Sequence, residues 1–264
     1  MNDSKKKNQV TKVQIDEPTG LMGTQFALNI AQGVLDAIEE AQVSKNQMLG
    51  WDQKELRLLS KKATQKFLGL VDRKRKSLWS EEKAKISNFY KTCFKKKSWI
   101  PNWEQVTIPT GNENLKRLEF IFLKMIVQEA FNAYADYFGK DKTWKAWKNI
   151  TKAINPKTVQ PRPKQNYAML HVGGDEPDLL NKSYDDGISE NIISMTPLEG
   201  IISAFRYRFE TGEMYDVIGE TRLSALDCYG CAMYMCGDAD GGFGVDSHNC
   251  VSRIPQSGLR QVSF

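Results

Sequence analysis

Four of the five cysteines, Cys228, Cys231, Cys236 and Cys250, fall within 23 residues, and His248 stands beside the last of them. Thiols so placed have three chemical uses. Four thiolates suffice for a tetrahedral zinc site, but such sites pair two close knuckles, and only Cys228-x2-Cys231 is spaced as one. Cys236 and Cys250 lie too loosely for a second, so a zinc-binding module or small enzyme on this cluster is the alternative and not the main expectation. A Cys–His nucleophile built from Cys228 or Cys236 with His248 would need a third group to orient the imidazole. None stands at a convincing spacing, and no catalytic site is expected. The odd cysteine count, with no apolar stretch behind the lysine-rich N-terminus, argues against a disulfide framework. Asp238-Ala239-Asp240-Gly241-Gly242 invites comparison with a calcium loop, yet the further acids and closing Glu of an EF-hand are missing, so a glycine-rich turn between strands is expected. No metal or other cofactor is expected.

Another cause fits the cysteines better. Of the 24 residues from Asp227 to Cys250, 18 are Asp, Asn, His, Tyr, Cys, Ser or Gly, against 60 of the 226 residues before them. All seven can be encoded with a pyrimidine in the third position and A or G in the second. They are what substitution of the adenines in an Asn-type AAY codon yields. Selection for loops enriches Gly, Asp, Asn and Ser. It does not enrich Cys and Tyr together, and adenine-directed mutation does.

Sequence around this segment resembles a known family. Asn166-Tyr167-Ala168-Met169, Thr196-Pro197-Leu198-Glu199-Gly200, Phe209-Glu210-Thr211-Gly212, Thr221-Arg222-Leu223-Ser224-Ala225-Leu226 and the ending Ser257-Gly258-Leu259-Arg260-Gln261-Val262-Ser263-Phe264 resemble variable proteins of diversity-generating retroelements. The resemblance covers residues 166–264, and Glu220 departs from it where the family often has Trp. It implies a C-type-lectin fold, and a 3′ gene end rewritten by a reverse transcriptase that misreads template adenines. The varied side chains would then form a ligand-binding face. On this reading the contact residues are Asp227, Cys228, Tyr229, Cys231, Tyr234, Cys236, Asp238, Asp240, Asp246, Ser247, His248, Asn249 and Cys250. Met233, Met235, Phe243, Val245, Leu259 and Val262 fall outside the adenine-derived set and are candidates for a buried scaffold. Tyr, Ser, Gly and Asn also dominate antibody paratopes, because they combine rigid contact area with adaptable hydrogen bonding. The expected ligand is a macromolecular surface, a protein in the first instance, since such a face lacks a deep polar pocket.

The elements that must position this segment are legible in outline. The fold class expected is α+β, with a C-type-lectin-like C-terminal domain and a mainly helical N-terminal region. Its parts are a disordered arm (1–20), a basic, mainly helical region (21–155) and the lectin-like domain (156–264, diversified over about 222–264). Helices are expected over about 23–43, 52–72 and from Ser80 to the Lys95–Lys97 run, and a short strand over 104–109. The strongest helical pattern runs from 112 to 138, with Leu118, Ile121, Phe122, Met125, Ile126, Ala130 and Ala133 on one face. Trp144 and Trp147 are read as one helix face against the core. Residues 155–165, with three prolines, read as a linker or an extended edge, with a soft domain boundary there. Strands are expected over 166–172, 222–226, 232–235, 242–245 and 258–263, and His171 as a satisfied core or edge residue. A helix from Thr196 to Thr211 carries a capping box, Pro197 at its first position and Gly212 past its end.

Charge divides the chain. Residues 1–182 hold 32 Lys+Arg against 20 Asp+Glu, and residues 183–264 hold 5 against 12. The basic half is compatible with a nucleic-acid or acidic partner, weighed against a solvated helix surface. It is expected to anchor or oligomerise the display, homo-oligomers included. No apolar run approaches the 18 or so residues that span a bilayer. The expected location is the cytoplasm, or a virion component released by lysis.

Overall fold

The computed structural model describes residues 79–94, 99–109, 115 and 117–264. The arm at 1–20 and the helices read over 23–43 and 52–72 lie outside the described residues. The chain divides at Ser80, and the architecture below is that of the unit Ser80–Phe264. It is a mixed α/β unit of two sheets and a few helices, compatible with the α+β expectation. Among the described residues no helix is long and apolar enough to cross a membrane.

The first sheet is antiparallel, in the order β1 (Arg117–Ile121), β3 (Tyr167–His171), β9 (Val262–Ser263). The second runs β2 (Thr143–Lys145), β7 (Phe243–His248), β6 (Ala232–Gly237), β5 (Glu220–Leu226), β8 (Ser257–Leu259), β4 (Leu179–Leu180). Its β2–β7 and β5–β8 pairings are parallel and the rest antiparallel. The helices are α1 (79–93), α2 (Val127–Phe138), α3 (Ile150–Ala153), α4 (Tyr184–Ser189) and α5 (Pro197–Thr211).

Helix α5 forms as its sequence dictates. The Thr196 hydroxyl accepts from the Glu199 amide, the Glu199 carboxylate accepts from the Thr196 amide at 2.7 Å, and Gly212 closes the helix at φ 76°. Each device satisfies backbone groups that a helix end leaves without partners. Its buried face, with Ile201, Ile202, Ala204 and Phe205, packs against α2, β1, β5 and β6. From α1, Phe89 meets Phe205 edge to face at 5.0 Å.

Four local readings are corrected. Residues 112–138 are not one helix: β1 occupies Arg117–Ile121 and α2 begins at Val127. Leu118, Glu119, Phe120 and Ile121 are all buried, as in a strand covered on both faces, and such a run matches a helical stripe at some positions by chance. The strand read over 104–109 is replaced by a single 3-10 turn at Trp103–Gln105, capped by the Asn102 side chain. Trp144 belongs to β2 and shares no helix with Trp147.

The stretch 155–165 is not a linker or a domain boundary, because both sheets take strands from either side of it. It is a strap held by side chains. Gln160 brackets the Ile192 carbonyl and the Ser194 amide, and Arg162 makes a two-pronged pair with the fully buried Glu199 at 2.7 and 2.9 Å. Tyr167 also donates to Glu199. His171 is buried, as expected, with its ring nitrogens facing the Val172 carbonyl at 2.8 Å and Glu119 at 3.4 Å.

Arg260, between β8 and β9, is fully buried. Its Nε donates to Asp216 and Thr221, Nη1 to the Val172 carbonyl, and Nη2 to the Gly174 carbonyl and to Asp216 at 2.6 Å. Its plane lies 4.2 Å from the Tyr215 ring centre. Arg260→Met would leave Asp216 as an uncompensated buried carboxylate. The expected cost is about 3–5 kcal/mol, read by urea unfolding; a loss below about 1 kcal/mol would show that the cluster relaxes without its cation.

Candidate ligand-binding face

Strand alternation sorts the diversified segment into two faces. On β5 and β6, Thr221, Leu223, Met233 and Met235 point to the core under α5, where a Cβ added to Gly200 would meet Leu223 and Met235 at 2.8 Å. Val245 pairs with Met235 and shares that side. Each of the six proposed scaffold residues, Met233, Met235, Phe243, Val245, Leu259 and Val262, is at most 3% exposed. The opposite side of the same strands carries Glu220, Arg222, Tyr234, Cys236, Asp246 and His248, with Arg222 opposite Tyr234 and Tyr234 opposite Asp246.

The centre of this outer face is ordered. The rings of Tyr234 and His248 stack with centroids 4.0 Å apart and planes 9° from parallel, and His248 Nε2 reaches Glu220 at 3.0 Å. Burial and the neighbouring Asp246 raise the Tyr234 phenol above its ordinary pKa. Burial pushes the Cys236 thiol up to about 12. The β5–β6 turn holds its shape through Asp227, whose carboxylate accepts from the Tyr229 and Cys231 amides at 2.9 and 2.8 Å and from the Ser247 hydroxyl at 2.9 Å. At the β6–β7 turn the Asp238 carboxylate accepts from the Gly242 amide at 2.6 Å, and Gly241 takes φ 84°. This is the glycine-rich turn expected there.

The thirteen contact candidates therefore do not form one patch. Cys228, Tyr229 and Asn249 are exposed at one end of the hairpin, Tyr229 to 82%, with Cys231 and Cys250 half-buried nearby. Tyr234, Cys236, Asp246 and His248 line the outer face between the two ends. Asp238 and Asp240 sit at the opposite tip, beyond the six residues of β6, about 16 Å of strand. Asp227 is 1% exposed and belongs to the frame, not to the contact surface. Ser247 is half-buried and bonded to it.

Three residues outside the candidate set also shape the face. Trp144, 40% exposed, lies across Gly244, where a Cβ would fall 1.9 Å from its ring. Reading its segment as a helix hid this position. Glu220 and Arg222 were legible only as framework, because nothing local says which way a strand residue points.

Cys231 and Cys236 lie at opposite ends of β6, so the four thiols do not converge. Among the described residues no group of three or more His, Cys, Asp or Glu side chains is placed to hold a metal ion. Among the described residues the cysteines are all free, and Cys228 alone is fully exposed. Iodoacetamide at pH 8 is expected to label Cys228 first. Cys236 and Cys93, whose thiols burial holds near 12, should react only on unfolding, because the thiolate is the nucleophile. Peptide mapping before and after denaturation checks this, and rapid native labelling of Cys236 would contradict the buried site. Comparison with protein-family models, with curated protein sequences and with solved structures gives no match.

Proposed function

We propose that this chain is a ligand-binding variable protein of the diversity-generating-retroelement kind, and that residues 156–264 lie within a C-type-lectin-like variable domain. The observation that carries the reading is the sorting of residues 227–250 by burial. Met233, Met235, Phe243 and Val245, which lie outside the seven residue types that mark the segment, are buried in the core. Most adenine-derived residues, among them Cys228, Tyr229, Asp238, Asp240 and Asn249, are on the surface or half-buried. A face built this way tolerates wholesale replacement, because its backbone is held by strand pairing and by side chains of the core. The ligand is a macromolecular surface, a protein first of all: the outer face is broad and rimmed by an exposed Tyr and Trp, the residue types that anchor protein interfaces. The chemistry on this face is recognition and not catalysis, and the expected setting is the cytoplasm or a virion.

Sequencing the DNA around the gene, with many copies of its 3′ end from the source population, tests this. The expected result is a nearby repeat that matches codons 222–264 except at adenines, beside a reverse-transcriptase gene. Variation should fall at Cys228, Tyr229, Cys231, Tyr234, Cys236, Asp246, His248 and Asn249, and not at the six buried scaffold positions. An invariant 3′ end without a repeat would overturn the proposal. At the protein level, Tyr229→Ser and Asn249→Asp should each change stability by no more than about 0.5 kcal/mol in urea unfolding, as exposed positions do.

A further inference from the structure

Arg222 is the one residue of the outer face whose burial its own surroundings do not explain. Its side chain is fully buried, and among the described residues none of Nε, Nη1 and Nη2 meets a hydrogen-bond acceptor. The contrast with Arg206 and Arg260 is sharp. Both are equally buried, and each donates to carboxylates and to backbone carbonyls.

A guanidinium keeps its charge in any protein environment and presents five donors in a rigid fork. Buried without acceptors, it is destabilising, so a fold that keeps one needs a reason. Glu220 and Asp186 lie near enough for their charges to favour the guanidinium, but neither accepts a hydrogen bond from it. Glu220 faces His248 at 3.0 Å, and Asp186 is held by both prongs of Arg253 at 2.8 and 2.6 Å. The Asp246 carboxylate takes the Ser247 amide at 2.7 Å.

What adjoins Arg222 is the part of the face proposed to vary. Tyr234 stands directly across the strand pair from it, and His248 stacks on Tyr234 and reaches over to Glu220. We infer that Arg222 is a fixed carboxylate receptor beneath the variable face, covered in the free protein by the Tyr234–His248 stack and engaged two-pronged by an acidic side chain of the ligand when that stack parts. This inference rests on the display reading above and gives it a constant element. The planar fork matches a carboxylate in geometry as well as charge, and a bidentate pair in a site closed to water is stronger than a neutral hydrogen bond. Diversified neighbours would then select which acidic surface can reach an anchor that does not change.

Acetate is the probe, with sodium chloride at equal ionic strength as reference and inorganic phosphate in a parallel arm, read by thermal unfolding of the full chain. At about five times its Kd, acetate is expected to raise the Tm of the parent protein by about 2–4 °C over chloride. Arg222→Met should abolish that shift while melting no lower than the parent in chloride, because an unpaired buried cation has been replaced by an apolar chain of similar length. Arg222→Lys, which keeps the charge but not the fork, should give less than half the parent's shift, and it takes the place of Arg222→Met if that variant does not fold. No acetate shift in the parent overturns the inference, as does an equal shift in the variant. A phosphate shift as large as that of acetate overturns the assignment to a carboxylate. Variable 3′ ends with no acetate response would sink this inference alone, and fixed 3′ ends with the response would sink the display reading alone.

Discussion

The guanidinium of Arg260 joins parts of the fold that no run of local sequence connects. It lies between β8, which pairs with β5 in the second sheet, and β9, which pairs with β3 in the first. Because it cannot lose its proton, its burial obliges the chain to bring acceptors to it, and they come from Val172, Gly174, Asp216 and Thr221. Those four belong to the loop after β3, the loop before β5 and β5 itself. Thr221 must point inward to meet Arg260. Strand alternation then sends Arg222 and Glu220 to the outer side, so one buried ion cluster decides which residues the outer face presents.

A second buried ion system does comparable work at the start of α5. Glu199 caps its own helix through the Thr196 amide and also receives Arg162 and Tyr167, which fastens the proline-rich strap to the helix start. In both systems each buried guanidinium or carboxylate meets an opposite charge and is hydrogen-bonded to it. That is the condition under which removing one partner is costly although the pair itself adds little net stability. Arg222 stands outside this rule, and the exception falls on the side of the sheet that carries the adenine-derived residues.

The outer face shows how a backbone can stay fixed while its side chains differ. Its turns are held by carboxylates that bond to backbone amides, Asp227 at one end and Asp238 at the other. Its core side is held by methionines and aromatic rings. Asp227 is instructive, because its residue type belongs to the adenine-derived set while its place belongs to the frame. Codon arithmetic identifies what a residue could have been, and it is blind to what the residue holds together. Burial and hydrogen bonding make that distinction.

By itself the sequence determined features whose causes are local. The capping box at Thr196–Glu199, Pro197 and Gly212 bound α5 because cap and helix are a few bonds apart. Met233, Met235 and Val245 stood out as scaffold candidates because their residue types fall outside the adenine-derived set. The composition of 227–250 set that segment apart without any structure. Tertiary structure decided the rest. Residues 117–121 became a strand because they are covered on both faces, the strap at 155–165 became part of the unit because Arg162 found Glu199, and Trp144 reached the outer face by pairing with β7. It also separated Asp238 and Asp240 from Tyr229 by the length of β6 and left Arg222 buried with no hydrogen-bond acceptor among the described residues. Each of these depends on which distant residues meet, and contacts between residues tens of positions apart leave no periodic trace in the chain that makes them.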